Sequence, residues 1–200
     1  MAAPVFLPPY LYKILFKKKY RKSTRGMLGL DLDAAVWDLN APGRRLWLHA
    51  VSVGEAVAGK AVLSEWVAAE PDARIVASTV TETGQQKARE ILSEAKAFTF
   101  YPLDFTPIVQ RFLKKFDPKI YIFMETEIWP NFLREAARRG VRIFLANGKL
   151  SDRSFERWMK YRTLFRVTFD AITAACVQTE RKKEKFSALL GRSECVFVTG

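Results

Sequence analysis

Seven short apolar runs recur along the chain from residue 44 onward, and most are rich in β-branched or aromatic residues. The runs are RRLWLHAV, RIVASTV, FTFYPL, IYIFMET, VRIFLAN, AITAACVQT and CVFVT. Near-continuous apolar runs of this length are typical of strands that are buried on both faces, as in a parallel sheet. The pattern therefore predicts seven strands.

Between these runs, apolar residues recur at the three- and four-residue spacing of an amphipathic helix. Such stretches are Glu55 to Ala69, Gln85 to Glu94, Pro107 to Phe116 and Pro130 to Arg139, followed by SDRSFERWMKYRTLF and TERKKEKFSALLG. The last two open on Ser151 and Thr179, which are good N-cap residues. Alternating strands and helices predict one Rossmann-like α/β domain over residues 31–200, with helices on both faces of a parallel sheet.

Charge adds a separate feature at the amino terminus. The chain has a net charge of +12, and its first 30 residues contain no acid but seven basic residues: Lys13, Lys17, Lys18, Lys19, Arg21, Lys22 and Arg25. The apolar run VFLPPYLYKILF beside them is shorter than the ~20 residues that span a bilayer. We interpret residues 1–30 as a membrane-associating arm on an anionic surface. A solvated basic arm and a nucleic-acid-binding arm are the alternatives.

Polar segments follow five of the predicted strands: SVGE, TETG, PLD, ETEIWPN and NGKLSDRS. Ligands of open parallel sheets bind outside the carboxyl ends of the strands, so these segments are expected to share one site. ETEIWPN is unusual because Glu125 and Glu127 stand beside a tryptophan and a proline, where a plain turn needs only Asp, Gly or Ser. The alternative is that both acids only cap a helix. The single histidine, His49, excludes a His-rich metal site.

The segment from Gly54 to Lys60 has the GxxxxGK spacing of a phosphate-binding P-loop. However, Ala61 stands where a P-loop has the Ser or Thr that binds magnesium. Glu55 also places a negative charge where backbone N–H groups would receive phosphate. A carboxylate at the start of a helix is instead a candidate general base, with Ser52 and Gly54 beside it. A P-loop nucleotide-binding protein stays an alternative.

Six segments occur in the order found in a known family: HAVSVGE, TETG, YPLDF, METEIWPN, ANGKLSDRS and the final VTG. Together they resemble the amino-terminal half of 3-deoxy-D-manno-octulosonic acid (Kdo) transferase, which attaches Kdo to lipid A in Gram-negative bacteria. The resemblance implies a GT-B glycosyltransferase, in which two Rossmann-like halves face each other across a cleft. It also implies inversion at the anomeric carbon, CMP-Kdo as the donor substrate, and no metal or other cofactor.

The resemblance further implies roles for individual residues. Glu55 would be the general base that deprotonates the acceptor hydroxyl, and Glu125 would be the second functional acid. The residues expected to bind substrate are Ser52, Gly54, Thr81, Glu127, Lys149 and Ser151. The family usually has arginine where Lys149 stands, and lysine keeps the charge but loses the two-pronged hydrogen bonding of a guanidinium.

The partners and the location follow from the same resemblance. The chain would be peripheral or monotopic at the cytoplasmic face of the inner membrane, in contact with a lipid A precursor and an anionic membrane surface. No nucleic-acid partner is expected. CMP-Kdo would bind a second half that these 200 residues lack, so this chain alone is expected to be inactive. A non-catalytic membrane-surface module is the alternative outside enzymes.

Overall fold

The computed structural model describes residues 21–32 and 37–200, and in them strands and helices alternate along the chain. In chain order the elements are α1 (Arg21–Met27), β1 (Arg45–His49), α2 (Val53–Ala69), β2 (Arg74–Thr79), α3 (Glu82–Ile91), β3 (Ala97–Phe100), α4 (Thr106–Phe116), β4 (Ile120–Met124), α5 (Pro130–Arg138), β5 (Arg142–Gly148), α6 (Asp152–Lys160), α7 (Arg166–Asp170), β6 (Ala174–Val177), α8 (Glu180–Leu190) and β7 (Val196–Val198).

The seven strands pair in parallel and form one sheet in the order β3-β2-β1-β4-β5-β6-β7. This arrangement confirms the seven predicted strands and the Rossmann-like α/β class. The strand order reverses between β1 and β4, which pair in register from Leu46 opposite Ile120 to His49 opposite Phe123. In open α/β sheets such a reversal is the topological switch point, where ligands bind beyond the carboxyl ends of the strands.

An aromatic cluster packs on one face of the sheet. At its centre is Trp47 of β1, which is fully buried. Five rings lie with centroids 5.1 to 6.4 Å from the Trp47 ring, and they belong to Tyr101, Phe112, Phe116, Tyr121 and Phe132. These residues come from α4, α5, β4 and the segment after β3. The cluster therefore fixes α4 and α5 against the centre of the sheet.

Several helices differ in extent from the predicted stretches. α2 begins at Val53 rather than Glu55, because Ser52 is its N-cap. α3 begins at Glu82 rather than Gln85, and it ends at Ile91 rather than Glu94. The periodicity missed the first turns because their residues are mostly polar or glycine. The single helix predicted for SDRSFERWMKYRTLF ends early, and α6 and α7 are separated by turns.

The last part of the predicted basic arm is packed on the domain. Met27 and Leu32 are buried in the core, and the N–H of Leu103 donates to the carbonyl of Met27 at 2.9 Å. The apolar run and most of the basic residues lie outside the described residues, and the division of the chain at residue 30 stays a prediction. None of the helices in residues 21–32 and 37–200 is long and apolar enough to span a bilayer.

Candidate active site

Glu55 lies in the first turn of α2, at the switch point, and is 5% exposed. Ser52 Oγ accepts the N–H of Glu55 at 3.2 Å, and Glu55 Oε1 accepts the N–H of Ser52 at 3.2 Å, which forms a capping box. Glu55 Oε2 also accepts the N–H of Val51 at 2.9 Å. The carboxylate is therefore held in one place beside the end of β1. It also occupies backbone donors that a P-loop would offer to phosphate, which argues against that alternative.

Glu125 follows β4 directly and has a left-handed backbone conformation, with φ 57°. This conformation is uncommon for residues other than glycine, and its presence at a strand end is typical of a functional loop. The N–H of Glu125 donates to the carbonyl of Ala146 on β5 at 2.9 Å. Its carboxylate accepts a hydrogen bond from Lys149 Nζ. Both side chains remain partly exposed, so the pair is open to an incoming ligand.

Glu127 is the most strongly perturbed acid of the loop between β4 and α5. Its pKa is raised from 4.5 to about 6, mainly by burial. The negative charges of Glu55 and Glu125 also raise this pKa, and a hydrogen bond with Trp129 lowers it. The structure thus brings the three acids into one electrostatic group at the switch point. A carboxyl with a pKa near 6 exchanges protons easily in the neutral range, a property that clusters at catalytic sites.

The three predicted hydroxyl groups all cap helices at the carboxyl edge of the sheet. Besides Ser52, Thr81 Oγ1 accepts the N–H of Gly84 at 3.0 Å at the start of α3, and Ser151 Oγ accepts the N–H of Ser154 at 3.2 Å at the start of α6. Each hydroxyl therefore has a structural role whether or not it binds substrate. Gly54 faces open space, because a Cβ placed there would meet only Ser52 Oγ, at 3.9 Å.

A row of amide and amine groups beside the Glu125–Lys149 pair was missed by the sequence interpretation. Asn147 at the end of β5 is also left-handed, with φ 53°, and Gln178 Nε2 donates to its Oδ1 at 2.5 Å. Lys182 Nζ in turn donates to Gln178 Oε1. The sequence signal for this row is Asn147 within ANGK, a polar residue at the end of a predicted strand and two residues before Lys149.

His49 at the end of β1 is fully buried. Burial lowers the pKa of His49 to about 3, against the opposing effect of a hydrogen bond to the Ser78 carbonyl, so the ring is neutral. The ring stacks on Tyr101 with centroids 3.9 Å apart. Tyr121 donates to the Tyr101 hydroxyl at 3.1 Å. Throughout the described ranges, no three His, Cys, Asp or Glu side chains are placed to hold a metal ion together.

An apolar groove of about 780 Å³ lies on the face of the sheet that carries α2. Its lining includes Ala58, Val62, Trp66, Ile122, Met124 and Phe144. Glu55, Glu125 and Glu127 do not line it. The groove offers apolar contact area but few groups for chemistry, so the candidate site is the set of three acids at the switch point.

A family model described as 3-deoxy-D-manno-octulosonic-acid transferase (kdotransferase) matches residues 18–200 of this chain. The chain belongs to the Kdo transferase family. The match covers every described strand and helix, and it includes all of the loops that carry the candidate site.

Curated Kdo transferases support this assignment. The 3-deoxy-D-manno-octulosonic acid transferase of Chlamydia trachomatis serovar D is 32% identical over 197 residues, which is 98% of this chain and 45% of the relative. The transferase of the same name from Rickettsia felis is 32% identical over 144 residues, which is 72% of this chain and 31% of the relative. The chain thus spans less than half the length of these Kdo transferases.

Solved structures of similar fold include two UDP-sugar epimerases. A UDP-N-acetylglucosamine 2-epimerase aligns with 79% of this chain and 46% of its own, at a TM-score of 0.54 and 13% identity. The UDP-GlcNAc 2-epimerase of Neisseria meningitidis aligns with 78% of this chain and 46% of its own, at a TM-score of 0.54 and 17% identity. At this identity the likeness shows the Rossmann-like fold that the Kdo transferase domain shares with them.

The raised pKa of Glu127 predicts that the stability of this Kdo transferase domain falls as the pH rises from 4.5 to about 6. Over this range the folded state holds a proton that the unfolded state has already released, so ionisation favours unfolding. Glu127→Gln is expected to remove this decline and to gain up to about 2 kcal/mol at pH 7 relative to pH 4. Urea denaturation at the two pH values measures it, with the exposed Glu82→Gln as the control. Equal pH dependence of the wild type and Glu127→Gln would contradict the assignment.

Proposed function

We propose that this chain is the acceptor-side half of an inverting glycosyltransferase. It would transfer Kdo from CMP-Kdo to a lipid A precursor during lipopolysaccharide biosynthesis. The observation that carries the proposal is the position of Glu55. This acid is fixed by hydrogen bonds at the topological switch point of a Rossmann-like sheet, in a chain that a Kdo transferase family model matches from residue 18 to 200.

Glu55 would act as the general base of the transfer. Its carboxylate takes the proton from a sugar hydroxyl of the acceptor while the hydroxyl oxygen attacks the anomeric carbon of Kdo. The bond between that carbon and the CMP phosphate oxygen breaks, and CMP leaves with the bonding electron pair. Attack from the side opposite the leaving phosphate inverts the anomeric carbon. Because Glu55 is held by two backbone donors, it needs little rearrangement to reach this geometry.

The neighbouring charges would organise the reactants. Glu125 is the second functional acid, and it keeps Lys149 at the edge of the cleft until an anionic group of the substrate competes for the ammonium group. Kdo carries a carboxylate and the donor carries a phosphate, and either could be that competitor. Ser52, Gly54, Thr81, Glu127 and Ser151 would line the cleft, although the hydroxyl groups also cap helices. No metal or cofactor is part of this proposal.

The basic arm would hold the domain at the cytoplasmic face of the inner membrane, where the lipid acceptor lies. Each Lys or Arg close to an anionic surface contributes about 1 kcal/mol of attraction, and residues 1–30 contain seven of them and no acid. The arm could also meet the phosphates of the acceptor. CMP-Kdo would bind mainly to the second half of the full-length protein, and no nucleic acid is involved.

Transfer by the full-length protein tests the proposal directly. The protein is incubated with CMP-Kdo and a lipid A precursor in detergent, and release of CMP and the mass of the lipid product are followed. We expect CMP to be released only with acceptor present, and the lipid to gain the mass of Kdo. A folded protein that releases no CMP would overturn the proposal, and tight magnesium-dependent ATP binding by it would support the P-loop alternative instead.

Removing residues 1–20 separates the enzyme from the membrane-module alternative. In the full-length protein that lacks residues 1–20, we expect transfer to detergent-solubilised acceptor to be retained, since the strands and the candidate site all lie after residue 44. Transfer to acceptor in vesicles of anionic phospholipid should fall severalfold and become insensitive to salt. A non-catalytic surface module would show no transfer in either setting, whether or not the arm is present.

A further inference from the structure

Asp104 is a buried carboxylate that the proposed mechanism does not use. It lies between β3 and α4 and is only 6% exposed. Its two oxygens accept backbone N–H groups from a distant part of the chain: Oδ2 from Asn131 at 3.0 Å and Oδ1 from Phe132 at 2.7 Å. Asn131 Nδ2 returns a hydrogen bond to the carbonyl of Asp104 at 2.7 Å. Three hydrogen bonds therefore join the loop after β3 to the start of α5.

These bonds replace a cap that α5 does not supply itself. The N-cap residue of α5 is Trp129, whose side chain makes no capping hydrogen bond, and Pro130 follows it without an N–H to offer. The first free donors of the helix are therefore the N–H groups of Asn131 and Phe132, and both point to Asp104. A carboxylate at a helix start is also favoured by the helix dipole. Asp104 thus fixes the start of α5 from outside the helix.

The start of α5 is one end of the loop that carries Glu125 and Glu127. This loop runs from residue 125 to 129, and its other end is tied to β5 by the hydrogen bond from the N–H of Glu125 to Ala146. Inside the loop, the N–H of Ile128 donates to the carbonyl of Thr126 at 2.9 Å. With both ends fixed and a turn between them, Glu127 has little freedom to move away from Glu55.

We propose that Asp104 is a positioning residue of this site: it holds the 125–129 loop so that Glu127 stays half-buried near Glu55. The inference deepens the proposed function and rests on it for the consequence on turnover. Asp104 itself need not touch the substrate. Its effect reaches the reacting groups through the backbone of the loop and the first turn of α5.

The state of Glu127 reports this positioning, because its surroundings set its titration. The charged groups that face it are Glu55 from α2 and Glu125 in the same loop, while the Trp129 side chain bonds to it. Tyr101 and Tyr121 also lie near enough to interact with its charge, and burial keeps both hydroxyl groups protonated by raising their pKa values. The shift of the Glu127 pKa comes from burial, the charges of Glu55 and Glu125 and the Trp129 hydrogen bond, so a change in its position or burial changes its pKa directly.

Asp104→Asn is the test variant, since an amide keeps the size of the side chain but turns one acceptor into a donor facing a backbone N–H. The loop should loosen and Glu127 should become solvated. We expect ¹³C NMR of the Glu127 carboxyl, assigned with Glu127→Gln, to show its pKa falling from about 6 toward 4.5. In the full-length protein, kcat for Kdo transfer should fall about 10- to 100-fold with a smaller change in KM.

Glu135→Gln is the matched control. Glu135 is a buried acid on the same helix, about one turn beyond the N–H groups that Asp104 accepts. It is hydrogen-bonded to Gln110 at 2.8 Å and paired with Arg138 at 3.0 Å and Arg134 at 3.4 Å. Both variants should lower the melting temperature. Only Asp104→Asn should lower the pKa of Glu127, and Asn131→Ala, which removes one of the three bonds, should lower it by less.

The inference is overturned if Glu127 still titrates near 6 in Asp104→Asn, or if Glu135→Gln shifts it equally. If Asp104→Asn does not fold, Asn131→Ala is measured in its place, and a Glu127 pKa that stays near 6 in that variant would overturn the inference. The NMR titration does not depend on catalysis. An inactive wild type would therefore defeat the proposed function while leaving the test of positioning intact.

Discussion

Replacing Glu55 with glutamine in the full-length protein is expected to lower kcat for Kdo transfer by about 10²- to 10⁴-fold, the usual contribution of a general base. Glutamine is the most informative replacement, because Gln can take the place of Glu at position N3 of a capping box. The hydrogen bonds that start α2 can persist, while the ability to take a proton from the acceptor is lost. The rate of CMP release at saturating substrate measures the effect.

The control for this variant is Glu82→Gln, the same substitution in the first turn of the next helix, α3, at the same edge of the sheet. Glu82 is exposed, and its replacement should leave kcat within about twofold, as expected for a surface change away from the chemistry. Both proteins should melt close to the wild type. A folded Glu55→Gln protein that keeps near-normal turnover would show that another group removes the proton.

Trp47→Ala is expected to cost about 3–5 kcal/mol of unfolding free energy, the largest single loss in this domain. The indole is fully buried among five aromatic rings from α4, α5, β4 and the segment after β3, and its Nε1 donates to Ser78 Oγ at 2.7 Å. Alanine would leave a cavity at the centre of the sheet and remove one hydrogen bond from Ser78 Oγ, which keeps His49 Nδ1 at 3.0 Å and the Leu48 carbonyl at 3.4 Å as partners. The midpoint and slope of urea denaturation measure the loss.

Trp47→Phe separates the two causes. Phenylalanine keeps much of the ring volume but cannot donate to Ser78, so its cost should be nearer the ~1 kcal/mol of one hydrogen bond plus a small cavity. If Trp47→Ala were no more costly than Trp47→Phe, the packing of the aromatic cluster would not be a main source of stability.

The strands, and the edge of the sheet at which the candidate residues lie, could be predicted from the sequence because they depend on local pattern. Most strands are largely apolar, as in RLWLH and IYIFM, so their runs stand out without any knowledge of their neighbours. The rule that ligands bind beyond the carboxyl ends of parallel strands then places Glu55, Glu125 and Glu127 at one edge. Helix starts were less accurate, because Val53 and Glu82 begin helices whose first turns carry no apolar periodicity.

What the sequence could not provide are the contacts between distant segments. Asp104 and Asn131 are 27 residues apart, and nothing in either motif indicates that one caps the helix of the other. The pairing of Glu125 with Lys149 likewise depends on β4 and β5 lying side by side. The raised pKa of Glu127 depends on burial and on neighbouring charges in the folded state, and these cannot be predicted from the spacing of residues in the sequence.

The candidate site loops all lie at the carboxyl edge of the strands, so a tether at the opposite edge would attach away from them. Gly140 lies in the exposed turn between α5 and β5 at that edge, and a Cβ built on it meets no atom within 4 Å. Exposed turns of this kind are the sites where insertions are best tolerated. A tether inserted after Gly140 would therefore attach the domain to a sensor surface with the candidate site pointing away from the support and open to an added ligand.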